Sequence, residues 1–395
     1  MHDTERKVRA LLHVLAPVLA HLDNINTTDA RSLNFGLHVG QAVDLRALRE
    51  LPPGQRTGVR RVCPADVLNS ASLQRVDEPF VLTFNCEHDR TRAGNQPATA
   101  LPHATISAAA DLHYLRQKFG NATADLYAQN LRNVDDFPHF MKLAKALDIL
   151  EIGDTPPSYV HWRLSLFAVS QLHAWRRNGT SASLLDHRLP PHMRADGAWM
   201  RTCMHDNDAA ENLFRHTAWG MLTIGVPGSS MFFHADSHGT DAASVQLRGR
   251  KRWLLCDGRH RYAQRPLMYN APSRMRQIPS YGLDAFAPDF NRFWLFAKAN
   301  CSDVIVHAGE TLFYPSGFWH TTLALDAPTV SLQSRVITAI NYDVVARDLQ
   351  QRCTQPQPDV HNEWSPNLNG KACARIAACK ALWQSWFAQN AMAKR

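Results

Sequence analysis

The chain has 395 residues, 45% of them apolar and 20% charged, with no long block of one charge, a composition that excludes an intrinsically disordered polypeptide. Its formal net charge of +8 is spread along the chain rather than gathered into a stripe, so nucleic acid is not expected as a direct substrate. No apolar run reaches the roughly 18 to 20 residues that cross a bilayer, so no membrane span is expected.

Residues 5–22 place apolar side chains at helical spacing until Asp23, Asn24 and Asn26 end the pattern, which predicts an amphipathic helix. His13, Pro17 and His21 interrupt this stretch and argue against a secretory leader. Pro52, Pro53 and Gly54 punctuate an irregular region beyond it, so residues 1–60 are expected to form a helical extension and a connection. From 61 to 345 short apolar runs alternate with turns, as in one main domain. The run from Pro79 to Thr83 has the β-branched and aromatic character of a strand, whereas 109–119 and 137–150 repeat apolar positions three and four apart and predict helices flanking a sheet.

The second half reads differently. MLTIGV, ASVQL, RWLLC, DVIVH, TLFYP, WHTTLAL and TVSLQ follow one another with Gly or Pro between most of them, a density of strands that predicts an antiparallel barrel or jelly roll. Residues 346–395 return to helix. An apolar stripe over 371–388 includes Trp383, Trp386 and Phe387, and is either core or the contact of a homodimer built through the C-terminal helices. Eight cysteines show no CxxC pair and no zinc-knuckle spacing, and read as buried thiols. A soluble protein of the cytoplasm or nucleus is the favoured expectation; sequons at Asn26, Asn121, Asn178 and Asn300 keep a secretory lumen open.

Chemistry concentrates in two segments. Phe232-Phe233-His234-Ala235-Asp236 contains His-x-Asp, and residues i and i+2 of a strand share a face, so one imidazole and one carboxylate can meet one ion. Gly317-Phe318-Trp319-His320 supplies a third ligand from another strand. Two imidazoles and a carboxylate occupy one face of an octahedron and leave three positions open, which suits non-haem Fe(II); zinc could use the same side chains. Gly249-Arg250-Lys251-Arg252-Trp253 reads as a hairpin turn that sets Lys251 on the next strand, either exposed or buried beside an anionic cosubstrate. His238 falls in the turn after the motif, as a loop or substrate contact, while Trp253 and Trp319 read as core that dries the site.

Together His234-x-Asp236, Gly239-Thr240, Gly249-x-Lys251-Arg252-Trp253 and the run Gly309 to His320 resemble the Jumonji C oxygenases over residues 61–345. Asp111 to Gly120 also resembles a helix near the start of these domains. The nearest likeness is to the small protein-hydroxylase branch that includes the arginine demethylase and lysyl hydroxylase once called the phosphatidylserine receptor. The resemblance implies a mainly β fold with flanking helices, a double-stranded β-helix of the cupin-like jelly-roll kind. It implies Fe(II) held by His234, Asp236 and His320, and 2-oxoglutarate held by Lys251 with Tyr159, ascorbate supporting activity. It further implies reaction with O₂ that hydroxylates an Arg, Lys, Asn or His side chain of a protein or peptide, releasing succinate and CO₂. The same chemistry on an N-methyl lysine or arginine would demethylate, but no zinc-binding Cys/His finger of a histone reader is visible. This chain has Ser244 where relatives often have Asn, and Met231 where many have Thr. Ser244 can still donate one hydrogen bond to the cosubstrate and Met231 cannot, which leaves room for a non-catalytic scaffold. Ser331 or Gln333 on the last strand are further candidates, subject to register.

Overall fold

In the computed structural model, which describes residues 56–83, 110–128, 139–152, 157–174, 193, 203–236, 238–258, 283–291, 293–354 and 368–392, the β-branched and aromatic runs form two sheets. All of these residues belong to one compact unit, 54–267 with 271–395, and the helix expected over 5–22 lies outside the described residues. The smaller sheet has the order Arg56–Gly58 (β1), Cys301–Val306 (β11), Lys251–Cys256 (β10), Trp319–Ala324 (β13), Ser230–Ala235 (β8). The larger has the order Arg60–Val62 (β2), Phe80–Leu82 (β3), Thr311–Tyr314 (β12), Asp241–Arg248 (β9), Thr329–Val336 (β14), Gly220–Gly225 (β7), Ser158–Arg163 (β6), Thr123–Ala128 (β4), His139–Lys142 (β5). From β7 to β14 the chain passes back and forth between the sheets and stays in one only at β10 to β11, the winding of a double-stranded β-helix. The seven apolar runs of the second half all fold as strands.

Two local expectations are corrected. The turn at Gly249 is not a hairpin, because β9 pairs with β12 and β14 while β10 pairs with β11 and β13, so the turn is a corner between sheets. Gly249 has φ 68°, and a Cβ there would lie 3.0 Å from the Pro328 carbonyl oxygen, so the corner requires glycine. The helix expected over 137–150 is confined to Leu143–Ile152; His139–Lys142 is extended because it completes the edge of the larger sheet against β4.

Strand alternation divides the core. One face of the larger sheet turns Val160, Trp162, Leu222, Ile224, Val330 and Leu332 toward the helices, into a cluster shared with Leu115, Leu147, Leu213, Val345, Ile376 and Trp383. The helix Leu112–Phe119 is capped by Asp111, whose carboxylate accepts from the backbone N–H of His113 and Tyr114. The opposite face looks across at the smaller sheet, where Trp253, Leu255, Leu312 and Tyr314 pack with Ala242. Outside the smaller sheet, Phe233, Leu254 and Trp319 are covered by Leu283, Phe293 and Phe296.

The C-terminal helix, Gly370–Met392, directs Ala372, Ile376, Cys379 and Trp383 into the main core, so the apolar stripe packs on its own domain. Trp383 is 1% exposed. Truncating it to alanine is expected to cost about 3–5 kcal/mol of unfolding free energy, measured as a fall in denaturant midpoint without a change in slope.

The described cysteines are not thiols. Cys203 is bonded to Cys379, Cys256 to Cys301 and Cys353 to Cys373, and Cys63 is disulfide-bonded as well. The spacing carried no hint of this, since partners 176 and 45 residues apart are brought together only by helix docking and by strand pairing.

Candidate metal centre

Strand pairing assembles the site. β8 and β13 are antiparallel neighbours, and His234 stands directly opposite His320, with ring centroids 4.4 Å apart. Asp236 follows one residue beyond the end of β8. One ligand atom from each of His234, Asp236 and His320 lies within 4.8 Å of the others. The Nδ1 atoms of His234 and His320 lie 2.7 and 3.0 Å from the carbonyl oxygens of Phe232 and Phe318. A carbonyl only accepts, so each Nδ1 carries the proton and each Nε2 keeps a lone pair free for a metal.

The register between β8 and β13 is broken once. His320 faces His234 but Thr322 faces Met231, so β8 holds one residue more than its partner, a bulge at Phe232 and Phe233. Met231 consequently also points inward, where it packs with Tyr127 and Tyr159.

Electrostatics favour a charged Asp236 carboxylate beside a neutral His234 ring. Burial pushes the His234 imidazole down to about 4, helped by His320 and opposed by Asp236. Burial would raise the Asp236 carboxyl, but Arg335, both imidazoles and the Tyr314 hydroxyl outweigh it and hold the group well below the ordinary carboxylate range. Tyr314 donates to Asp236 Oδ2 at 2.8 Å, and Arg335 Nη1 lies 3.6 Å from Oδ1.

Lys251 is fully buried, with no exposed surface. Its Nζ donates to the hydroxyls of Tyr159 at 3.2 Å and Thr223 at 3.0 Å, and among the described residues it meets no carboxylate. A buried cation held by two hydroxyls fits an anionic ligand, since burying such a charge unpaired is costly. The buried polar atoms without a hydrogen-bond partner among the described residues include Ser244 Oγ, Thr322 Oγ1 and Trp253 Nε1. Ser244 shares the inward face of β9 with Ala242, and Thr322 stands opposite Trp253 on β10, so all three belong to the space between the sheets. An interior so supplied with unsatisfied donors suits a polar guest.

The structure thus brings together His234, Asp236 and His320, and separately Lys251 with Tyr159, and it turns Ser244 into the same interior. It removes two candidates. His238 is buried and its Nδ1 lies 2.8 Å from Asp348 Oδ2, so it pins the turn to the helix Tyr342–Thr354 and is no free substrate contact. Ser331 donates to the side-chain oxygen of Gln246 at 2.8 Å, which occupies it. Trp253 and Trp319 are buried as expected.

Thr223, Arg335 and His161 went unnoticed in the sequence, and Tyr314 was seen only as part of the run Gly309 to His320, with no role of its own. Alternation along β14 was the available signal for Arg335, which shares its face with Ser331 and Gln333. His161 is flanked by the rings of Tyr127 and Tyr159, each 4.9 Å away, and burial followed by Lys251 and His234 pushes it well below the ordinary imidazole range.

Asp241 ties the turn before β13 to the segment after β14. Its carboxylate accepts from Ser316 N–H at 2.8 Å and from the Thr338 hydroxyl at 3.0 Å, yet burial pushes it up to about 7. The native state therefore holds this proton between about pH 4 and 7 while the unfolded chain releases it, so stability from this group falls as pH rises through that window. Asp241→Asn is expected to flatten the slope of unfolding free energy against pH between 4 and 7, followed by urea titration.

This chain is similar to known proteins. The cupin-like domain family matches residues 77–342. HSPB1-associated protein 1 of Homo sapiens is 34% identical over 116 residues, 29% of this chain and 22% of that protein. The protein named 2-oxoglutarate and iron-dependent oxygenase JMJD4 is 29% identical over 148 residues in Homo sapiens, covering 36% of this chain and 33% of that one. Its Danio rerio counterpart is 27% identical over 150 residues, 37% of this chain and 33% of that one. The chain therefore spans between a fifth and a third of the length of these relatives.

Proposed function

The chain belongs to the cupin-like domain family, of the Jumonji C kind, and from that premise we propose that it is an Fe(II)- and 2-oxoglutarate-dependent oxygenase acting on a side chain of a protein. The observation that carries this reading is Lys251, a fully buried cation whose described partners are two hydroxyls, set in the same interior as the His234, Asp236 and His320 cluster. A zinc hydrolase would need the three ligands but has no use for that lysine. The name of the JMJD4 relatives, 2-oxoglutarate and iron-dependent oxygenase, supports the same choice of metal and cosubstrate.

When bound, Fe(II) with 2-oxoglutarate and O₂ supplies an oxidation that couples loss of CO₂ and formation of succinate to hydroxylation of a substrate C–H bond. The residues of the chain bind, orient and exclude water. His234 and His320 present Nε2 because the carbonyls of Phe232 and Phe318 hold their Nδ1 protons. Tyr314 and Arg335 keep the Asp236 carboxylate ionised and fixed in direction. Lys251, Tyr159 and Thr223 take the distal carboxylate of the cosubstrate, with Ser244 as a further donor. Phe232 and Trp253, with rings 5.1 Å from His234 and 5.7 Å from His320, set apolar surface against the histidines that keeps water out.

Purified protein with Fe(II), ascorbate and candidate peptides should convert 2-oxoglutarate to succinate above a His234→Ala control. Mass spectrometry of the peptide should show gain of one oxygen. Loss of a methyl group instead would assign demethylation, and no turnover above the control, with 2-oxoglutarate and Mn(II) still bound, would leave a binding scaffold.

A further inference from the structure

The cysteines and one sequon, neither used by the chemistry above, describe the conditions in which the chain matures. The protein has eight cysteines, and those described are all paired, with no free thiol among them. The pairs are integral to the fold. Cys256 and Cys301 stand opposite each other in the ladder of β10 and β11, whose first residue is Lys251. Cys203–Cys379 holds the C-terminal helix to the body, and Cys353–Cys373 ties it to the preceding helix Tyr342–Thr354. Such a set of structural disulfides persists in an oxidising compartment and is reduced in a cytosol poised by glutathione and thioredoxin.

The sequons supply an independent observation. Asn26 and Asn178 lie outside the described residues. Asn300 is half-buried between buried Ala299 and Cys301, and Cys301 is already disulfide-bonded. Asn121-Ala122-Thr123 is different. It forms the turn that joins the helix Leu112–Phe119 to β4, with Asn121 and Thr123 exposed and Ala122 half-buried. The side chain of Asn121 accepts only a long, solvent-exposed hydrogen bond from Lys142 Nζ, at 3.4 Å, so its amide is open to a transferase. Turns exposed in this way are where the bulky, solubilising modification is tolerated.

We propose that this chain matures in an oxidising secretory lumen and carries an N-linked glycan on Asn121. The thiols of each pair give two electrons and two protons to an oxidised thiol–disulfide oxidoreductase as the S–S bond forms. On Asn121 the side-chain amide nitrogen bonds to the anomeric carbon of a polyprenyl-diphosphate-linked oligosaccharide. The carbon–oxygen bond to the diphosphate breaks, the lipid diphosphate leaves, and the amide gives up one proton.

The test expresses the full chain in eukaryotic cells. The protein is denatured in the presence of a thiol-alkylating reagent, with and without prior reduction, and treated with peptide-N-glycosidase F. The expected result is alkylation only after reduction, together with a mobility shift on glycosidase treatment that loses one step in Asn121→Gln and Thr123→Ala and keeps it in Thr123→Ser. Peptide mapping of the wild-type protein reads the Asn-to-Asp conversion at Asn121 directly, without depending on whether a variant folds. Alkylation of the cysteines without reduction, or an unconverted Asn121 in the wild-type digest, overturns the proposal.

Discussion

Asp236→Ala is expected to weaken Mn(II) binding by more than about 100-fold, beyond the 10- to 100-fold typical of residues that only support a ligand. Succinate formation should vanish with it. The change removes one of three ligand atoms and also the acceptor for Tyr314 and the anion facing Arg335. The variant should therefore also be less stable without metal, by about 1–3 kcal/mol, because a buried hydroxyl and a guanidinium lose their partner. Asp236→Asn separates the two effects: its amide oxygen can still accept from Tyr314, so stability should recover more than metal affinity does. Calorimetry with Mn(II) and denaturant unfolding of the same samples read both quantities. Unchanged Mn(II) affinity in the alanine variant would remove the metal centre from the proposal.

Lys251→Met should act in opposite directions on stability and on ligand binding. In the free protein the lysine is a buried charge without a carboxylate among the described residues, and methionine of similar length fills its space without that cost. The variant is expected to be more stable by about 1–4 kcal/mol, as when buried charges elsewhere are replaced by apolar side chains. Binding of 2-oxoglutarate should fall by about 100-fold or more, the result of leaving one carboxylate of the guest without its partner. Metal affinity should change little, since the lysine is no ligand. A variant that lost stability while keeping its affinity for 2-oxoglutarate would show the lysine to be structural. Calorimetry with Mn(II) present, beside thermal unfolding, distinguishes the cases.

What could be read from the chain follows the range over which each signal acts. Strand alternation and Gly-Pro punctuation are local, so the strands of the second half and the inward direction of His234 and His320 were legible. The run from Gly309 to His320 was legible for the same reason, because its turns and strands are written within a dozen residues. The partition of strands between sheets is not local: the turn at Gly249 looks like a hairpin until β9 and β10 are seen to have different neighbours. The disulfides join residues that meet only after the helices dock, and no spacing rule reaches that far. Thr223 and Tyr314 had no assigned role inside strands predicted correctly, since a polar residue on the interior face has meaning only once the opposite wall, with Lys251 and Asp236, is known. His238 misled for the converse reason. Its place in the turn after the motif left a substrate contact open beside a loop role, whereas the fold keeps it in the turn and commits it to Asp348.

The extra residue in β8 bears on how this pocket could change over time. A regular ladder would let either Met231 or His234 look into the cavity, because their separation is odd. The bulge reverses the parity between them and allows both. Removing a single position there would leave Met231 and His234 two apart in a regular ladder, still on one face, so the extra residue can be lost without turning either away from the cavity. The bulge therefore adds a side chain to this strand without changing the direction of the two residues that flank it.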